Sequence, residues 1–238
     1  MPRERIEFIR ISNVTEKQKM FLLAYEGNET EPTYFEAFKN NYRFNNEIIE
    51  IVSLRRDAND TKSAPKYVFE NLEKIKDEYN LGNDDELWMI IDRDRNGKNI
   101  EKFSSKCKSE PNFYFALSNP CFEFWLLLHL KDISEFTEEE INLIFENHKV
   151  GTKKTYLKKL LSKILPDGYN ESNLRPERFL QHIKIAIDRA KAMNIEAEDY
   201  PKTLGTHVYK LIEKVIRQNL NVQDLSHTEI SLPQNNQK

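Results

Sequence analysis

The chain has 238 residues, of which 39% are hydrophobic and 32% charged, with a formal net charge of −3. That length fills one core, or one core with an appended helical lobe. The composition excludes a disordered chain, no apolar run reaches the roughly 18 residues that span a bilayer, and the acidic balance excludes nucleic-acid binding by bulk charge, leaving only local patches for it.

The opening MPRERIEFIRIS lacks the apolar centre of a signal peptide, which places the expected location in the cytosol. Cys107 and Cys121 show no CxxC spacing, so they are expected to be reduced structural thiols rather than zinc ligands. Residues 1–18 are polar apart from the alternating Ile6–Ile11, an edge strand or a loose arm. Met20–Tyr25 is a continuous apolar run that reads as a buried strand and stops at Glu26-Gly27. Pro32 then opens a helix carrying Tyr34, Phe35 and Phe38 at helical spacing. Ile48–Leu54, rich in β-branched residues, is the second predicted strand, and a polar loop follows to Lys62. Pro65 opens a helix with Val68, Leu72, Ile75 and Tyr79 on one face, closed by a turn at Leu81–Asp84. Leu87–Ile91 is the third strand and ends at Asp92-Arg93-Asp94; Ile100–Lys108 is helical. Phe113–Leu117 is the fourth strand, ending at Ser118-Asn119-Pro120, and an aromatic-rich helix spans Phe122–Leu130.

This β-α alternation predicts an α/β fold with a mostly parallel sheet and helices on both faces. After about residue 131 no strand is expected, only helices over Glu138–His148, Lys153–Leu165, Pro176–Asn194 and Thr206–Asn219. The expected organisation is an α/β core over 1–130, a helical extension over 131–225 packed on it, and a disordered tail over 226–238.

Glu26 directly follows the first strand, and Asp92 and Asp94 follow the third. The carboxyl edge of a parallel sheet is where ligands bind, and residues i and i+2 at a strand end point the same way. A DxD alone also caps helices and closes turns. With a glutamate after another core strand, the three carboxylates form a candidate site for Mg²⁺ or Mn²⁺, hard cations that take oxygen ligands and act on phosphodiesters.

Three blocks of the sequence resemble the RloB-like protein family. They are Glu26-Gly27-Asn28-Glu29-Thr30-Glu31-Pro32-Thr33-Tyr34-Phe35, then Ile91-Asp92-Arg93-Asp94-Arg95-Asn96, then the block from Ser118-Asn119-Pro120-Cys121-Phe122-Glu123 to His129. They cover the first 130 residues in the family's order; beyond them Lys153–Tyr156 and Thr203–Leu211 match loosely. The resemblance implies a Toprim fold with Glu26, Asp92 and Asp94 in its acidic positions. It further implies a Mg²⁺-dependent nuclease, an effector of anti-phage defence at restriction or abortive-infection loci, paired with an RloA-type ATPase. A topoisomerase is not expected, because its separate domain with a nucleophilic tyrosine would find little room in 238 residues, nor a bacterial-type primase, because neither a zinc module nor a basic polymerase region is visible. A haloacid-dehalogenase phosphatase would carry its DxD after the first strand, where this chain has Glu26. The alternative is a non-cutting regulatory subunit of a defence ATPase complex.

Secondary candidates surround this centre. Glu29 and Glu31 reach metal or favour the helix N-terminus. Asn119 binds a phosphate or caps the next helix. Glu123, in an apolar helix, holds metal or pairs with a lysine or arginine, since a carboxylate cannot be buried alone. His129 reads as a hydrogen-bonded structural residue. Arg55, Arg56, Arg93, Arg95 and Lys98 are expected along a nucleic-acid backbone. Lys153, Lys154, Lys158, Lys159 and Lys163 read as the solvated face of one helix. Lys153 and Lys154 stand out because the family match reaches them, and either would offset transition-state charge.

Overall fold

A computed structural model of the chain describes residues 19–41, 49–54, 65–78, 81–93, 97, 99–151 and 154–228. The expected alternation is present: β1 (Lys19–Tyr25), α1 (Thr30–Asn41), β2 (Ile49–Leu54), α2 (Pro65–Glu78), β3 (Glu86–Asp92), α3 (Ile100–Ser109), β4 (Phe113–Asn119) and α4 (Phe122–Leu130). β1 pairs in parallel with β2 and β3, and β3 in parallel with β4. The result is a mixed α/β fold with a mostly parallel central sheet, consistent with a Toprim-like architecture.

Strand residues alternate between two cores, as the pleat requires. Phe21, Leu23, Tyr25, Trp88 and Ile90 face a core shared with α1 and α4, whereas Ala24, Leu87, Met89 and Ile91 face one built by α2 and α3. Because both faces are covered, the strands read as unbroken apolar runs rather than alternating ones.

The C-terminal half departs from expectation. Short strands do occur there: β5 (Lys149–Val150) and β6 (Lys154–Thr155) form an antiparallel hairpin, and β7 (Gly205–Thr206) joins the central sheet antiparallel to β4. Two-residue strands carry no period for a sequence pattern to reveal. β7 is fixed by side chains, Ser118 Oγ lying 2.9 Å from Thr206 Oγ1. Helices α5 (Glu138–Glu146), α6 (Tyr156–Ile164), α7 (Glu177–Leu180), α8 (Ile183–Ala192) and α9 (Val208–Thr228) complete the described chain. The single helix expected over 176–194 is thus two. The one expected from Lys153 starts at Tyr156, because Lys154 belongs to a strand. The helix expected to stop at Asn219 continues to Thr228, into the tail expected to be disordered. The strand or arm expected at Ile6–Ile11 and residues 229–238 lie outside the described residues.

Residues of α6, α7, α8 and α9 share the apolar cluster of α1 and α4. At the amino edge of the sheet, buried Glu86 accepts hydrogen bonds from Lys19 (2.8 Å), Lys214 of α9 (3.0 Å) and the Trp88 indole (2.9 Å). The Lys214 ammonium also lies 3.7 Å from the Tyr114 ring centre. That buried carboxylate fastens α9 to the sheet at the end remote from Glu26 and Asp92.

The sheet order β2-β1-β3-β4-β7 puts a topological switch between β1 and β3. From β1 the chain runs outward to β2 with α1 on one face; it then crosses back past β1 to β3 and β4 with α2 and α3 on the other. The helices that follow β1 and β3 thus lie on opposite faces of the sheet, the topology in which open α/β proteins bind ligands at the carboxyl ends of such strands.

Candidate active site at the carboxyl ends of β1 and β3

Glu26 and Asp92 adjoin at those strand ends. The Glu26 backbone N–H continues the β1–β3 ladder to Ile90 O (3.1 Å), and its carboxylate Oε2 accepts the Asp92 backbone N–H at 3.3 Å. Both residues are half-buried at the ends of otherwise buried strands. The Arg93 backbone N–H then bonds Ser118 O (2.9 Å) and Pro120 O (3.1 Å), tying the turn after β3 to the end of β4.

Glu31 extends the acidic centre. It stands in the first turn of α1, buried, and its Oε1 accepts the Gly27 N–H at 3.1 Å. Burial first, then the charges of Glu123 and Glu26, push its carboxyl up to about 7 against the backbone hydrogen bonds that lower it. Gly27 is what makes room: a Cβ there would run into the Glu31 carboxylate. Gly27→Ala is therefore expected to expel that carboxylate, at a cost of about 1 kcal/mol read by urea unfolding near pH 5, where the buried carboxyl is neutral and loses its hydrogen bond, a cost that shrinks towards pH 8 as burial of the charged form becomes unfavourable. An unchanged unfolding midpoint would mean that Glu31 does not hold this position.

Glu123 lies buried in the first turn of α4. The Tyr169 hydroxyl donates to its Oε1 (3.0 Å) and the Lys158 ammonium lies 3.6 Å away. Of the two sequence readings for Glu123, pairing with a basic residue is the one this geometry displays. Burial first, then Glu123, raise the Tyr169 phenol far above its usual range, so it remains a donor. Burial alone would lower the Lys158 pKa, but Glu123 and Glu171 outweigh it and raise it. Tyr169 also approaches Thr30 Oγ1 (3.5 Å), and Ser172 donates to Glu29 (2.7 Å), so the segment after α6 reaches the loop after β1 at two points.

The remaining sequence candidates scatter. Asn119 is wholly buried; its amide donates to Pro201 O (3.1 Å) and Thr203 O (2.6 Å), holding the approach to β7 instead of facing a ligand or capping α4. Arg93 is half-buried with its guanidinium 5.2 Å from the Phe145 ring centre. Exposed Lys154 donates to Ser162 Oγ (3.1 Å) and Tyr169 O (3.3 Å). His129 is buried and neutral: its Nδ1 donates to Trp125 O (2.9 Å), its Nε2 accepts from the Tyr34 hydroxyl (2.9 Å), and burial lowers its pKa to about 3. Asp94, Arg55, Arg56, Arg95, Lys98 and Lys153 lie outside the described residues.

Sequence reasoning left Glu31 between metal contact and the helix N-terminus, set Lys158 among solvated lysines and passed over Tyr169. The Gly27–Glu31 spacing was the one signal for Glu31, a glycine four residues before a carboxylate that folds back onto it. Nothing local marked Lys158 or Tyr169, whose partners are distant in sequence.

Among the described residues, no group of three or more His, Cys, Asp or Glu side chains forms a ready-made metal cage. A magnesium ion does not require one, since it keeps several waters and is held by one or two carboxylates. The residue types suit such an ion: Glu26 brings its carboxylate to the backbone of Asp92, a second carboxylate residue, and buried Glu31 is held towards its neutral form by burial and by carboxylates whose charge a cation would offset.

Compared with known proteins, the chain matches the model of one family, described as RloB-like protein, over residues 21–215. No curated protein and no solved structure matches it significantly. Among the described residues, no helix is long and apolar enough to cross a membrane.

Proposed function

The chain belongs to the RloB-like protein family, and from that premise we propose that it is a metal-dependent nuclease acting in anti-phage defence. The observation that carries this reading is the meeting of Glu26 and Asp92 at the switch point of the sheet, one carboxylate bonded to the backbone of the other residue. In this proposal Glu26, Asp92 and Asp94 hold Mg²⁺ or Mn²⁺. When bound, the cation polarises a phosphodiester and supplies hydroxide at neutral pH. The chain's own residues orient the strand. Lys153 or Lys154 offsets charge on the reacting phosphate, and Arg55, Arg56, Arg95 and Lys98 follow its backbone. Arg93 has its guanidinium over Phe145, so its contribution is to hold the turn after β3. Glu123, compensated by Lys158 and Tyr169, acts through those partners. An RloA-type ATPase is the proposed partner, and the cytosol the proposed location.

The test is direct. The purified chain is incubated with plasmid DNA, single-stranded DNA and bulk RNA, with Mg²⁺, with Mn²⁺ or with EDTA. Cutting that needs the metal is expected for at least one substrate. No cutting of any substrate under either metal, with or without an added ATPase partner, would favour the regulatory-subunit reading instead.

A further inference from the structure

Lys154, Lys158, Tyr169, Asn170 and Glu171 line a cavity of about 320 Å³ beside the acidic centre. We propose that this cavity is a phosphate subsite for the nucleic-acid strand, closed in this structure by the Glu171 carboxylate standing where a phosphate would bind. The proposal deepens the nuclease reading and rests on it for the identity of the strand.

Three observations carry it. Lys158 is unlike its helix neighbours Lys159 and Lys163, which are exposed. Its side chain is only 24% exposed and lies between Glu123 and Glu171, the second in direct ion contact. These two carboxylates are not equivalent. Glu123 is 8% exposed and hydrogen-bonded by Tyr169, so releasing it would leave a charge buried without its partner. Glu171 is 48% exposed, in a one-turn helix with solvent beside it, so its departure costs little. The charges also match. A phosphodiester carries one negative charge, as the Glu171 carboxylate does, so exchanging one for the other leaves Lys154 and Lys158 balanced. Lys154 places a second ammonium at the same cavity, and Asn170 holds the turn through Ser172 N (3.2 Å).

The position suits a strand that also meets the acidic centre. Glu123 ties the cavity to that centre: it touches Lys158 and Tyr169 on one side, and its charge is felt by Glu31 on the other. Tyr169 and Ser172 further connect the segment bearing Glu171 to Thr30 and Glu29, just after Glu26. A phosphate on Lys158 would therefore flank a phosphodiester lying over Glu26 and Asp92.

Two readouts test this without relying on cleavage. The first is the melting temperature in inorganic phosphate without divalent metal. Glu171→Gln, which removes the competing charge and keeps the shape, is expected to gain more from phosphate than wild type, and Lys158→Ala to gain nothing. The second is the affinity of the full chain for a labelled oligonucleotide, as DNA and as RNA, with Ca²⁺ replacing Mg²⁺. Here Glu171→Gln is expected to bind about threefold to tenfold more tightly, and Lys158→Ala to bind about tenfold more weakly with a shallower salt dependence. The double variant should bind no better than Lys158→Ala. Lys158→Ala leaves Glu123 without its cation and is open to misfolding; Glu171→Gln is a surface change and decides the matter alone. If Glu171→Gln matches wild type in both readouts, the subsite is overturned, whatever the metal-dependent cleavage assay says of the nuclease reading. If phosphate stabilises Glu171→Gln but the chain cuts nothing, the anion site stands and the nuclease reading is the one that falls.

Discussion

Glu26→Gln and Asp92→Asn are each expected to lower metal-dependent cleavage by about three orders of magnitude or more while the folded chain keeps its stability. The two substitutions act on charge and little else. In Glu26→Gln the amide retains a carbonyl oxygen that accepts the Asp92 N–H, so the contact between the ends of β1 and β3 survives while the negative charge is gone. Asp92 is only half-buried, at the last residue of its strand, and an asparagine side chain fits the same space. Glu26→Ala should differ, because it also removes the acceptor for the Asp92 N–H; a further loss of about 1 kcal/mol of stability is expected there. The measurement pairs initial cleavage rates in Mg²⁺ with Mn²⁺ binding followed by electron paramagnetic resonance. Loss of both, with urea unfolding unchanged, is the expected outcome. Cleavage by Asp92→Asn within about tenfold of wild type would remove Asp92 from the metal site, since ligand carboxylates are worth far more than that.

How far this centre was legible in advance depended on where each residue's partners lie. β1 and β3 are marked by unbroken apolar runs, and the carboxylates at their ends by position alone, so Glu26 and Asp92 could be chosen from sequence. Their meeting was expected from the shared sheet edge and the family resemblance, but the strand order that produces it, with β1 between β2 and β3, is written in no local pattern. Asn119 shows the opposite case. Its place at the end of β4, beside the acidic centre, suggested ligand contact, yet it is wholly buried and its amide N–H group is taken by two carbonyls more than 80 residues away. The same distance effect hid β7, whose two residues form a strand because β4 offers them an edge. Lys158 was misread for a related reason. On α6 its spacing fits a solvated face, and only the fold of residues 165–174 brings Glu171 and Tyr169 around it.

The buried titratable groups make opposite demands as pH changes, and their balance gives a second large effect. Glu31 binds its proton more tightly folded, at about 7, than at its ordinary 4.5. The stability it contributes is therefore full below about pH 4.5 and is lost as pH rises to 7. His129 and His207 run the other way, lowered by burial from 6.5 to about 3 and about 4. The unfolded chain takes up their protons first, so their contribution is full above pH 6.5 and fades as pH falls. Between pH 6.5 and 4.5 Glu31 cancels one of the two histidines. One net proton then remains, so these groups should destabilise wild type by about 1.4 kcal/mol per pH unit of acidification. Glu31→Gln keeps an acceptor for the Gly27 N–H and removes the cancellation, so its slope should be roughly double that of wild type. At pH 8 the same variant should be the more stable of the two, by an amount on the order of 2–3 kcal/mol. Urea unfolding at several pH values reads both effects, and parallel profiles for the two proteins would show that Glu31 is not held near neutrality by its surroundings. Added Mg²⁺ separates a proton effect from a metal effect. If a cation offsets the charge around Glu31, Mg²⁺ should stabilise wild type progressively more as pH rises towards 8. In Glu31→Gln that pH dependence should be largely gone, because no proton is left at that position for the cation to displace.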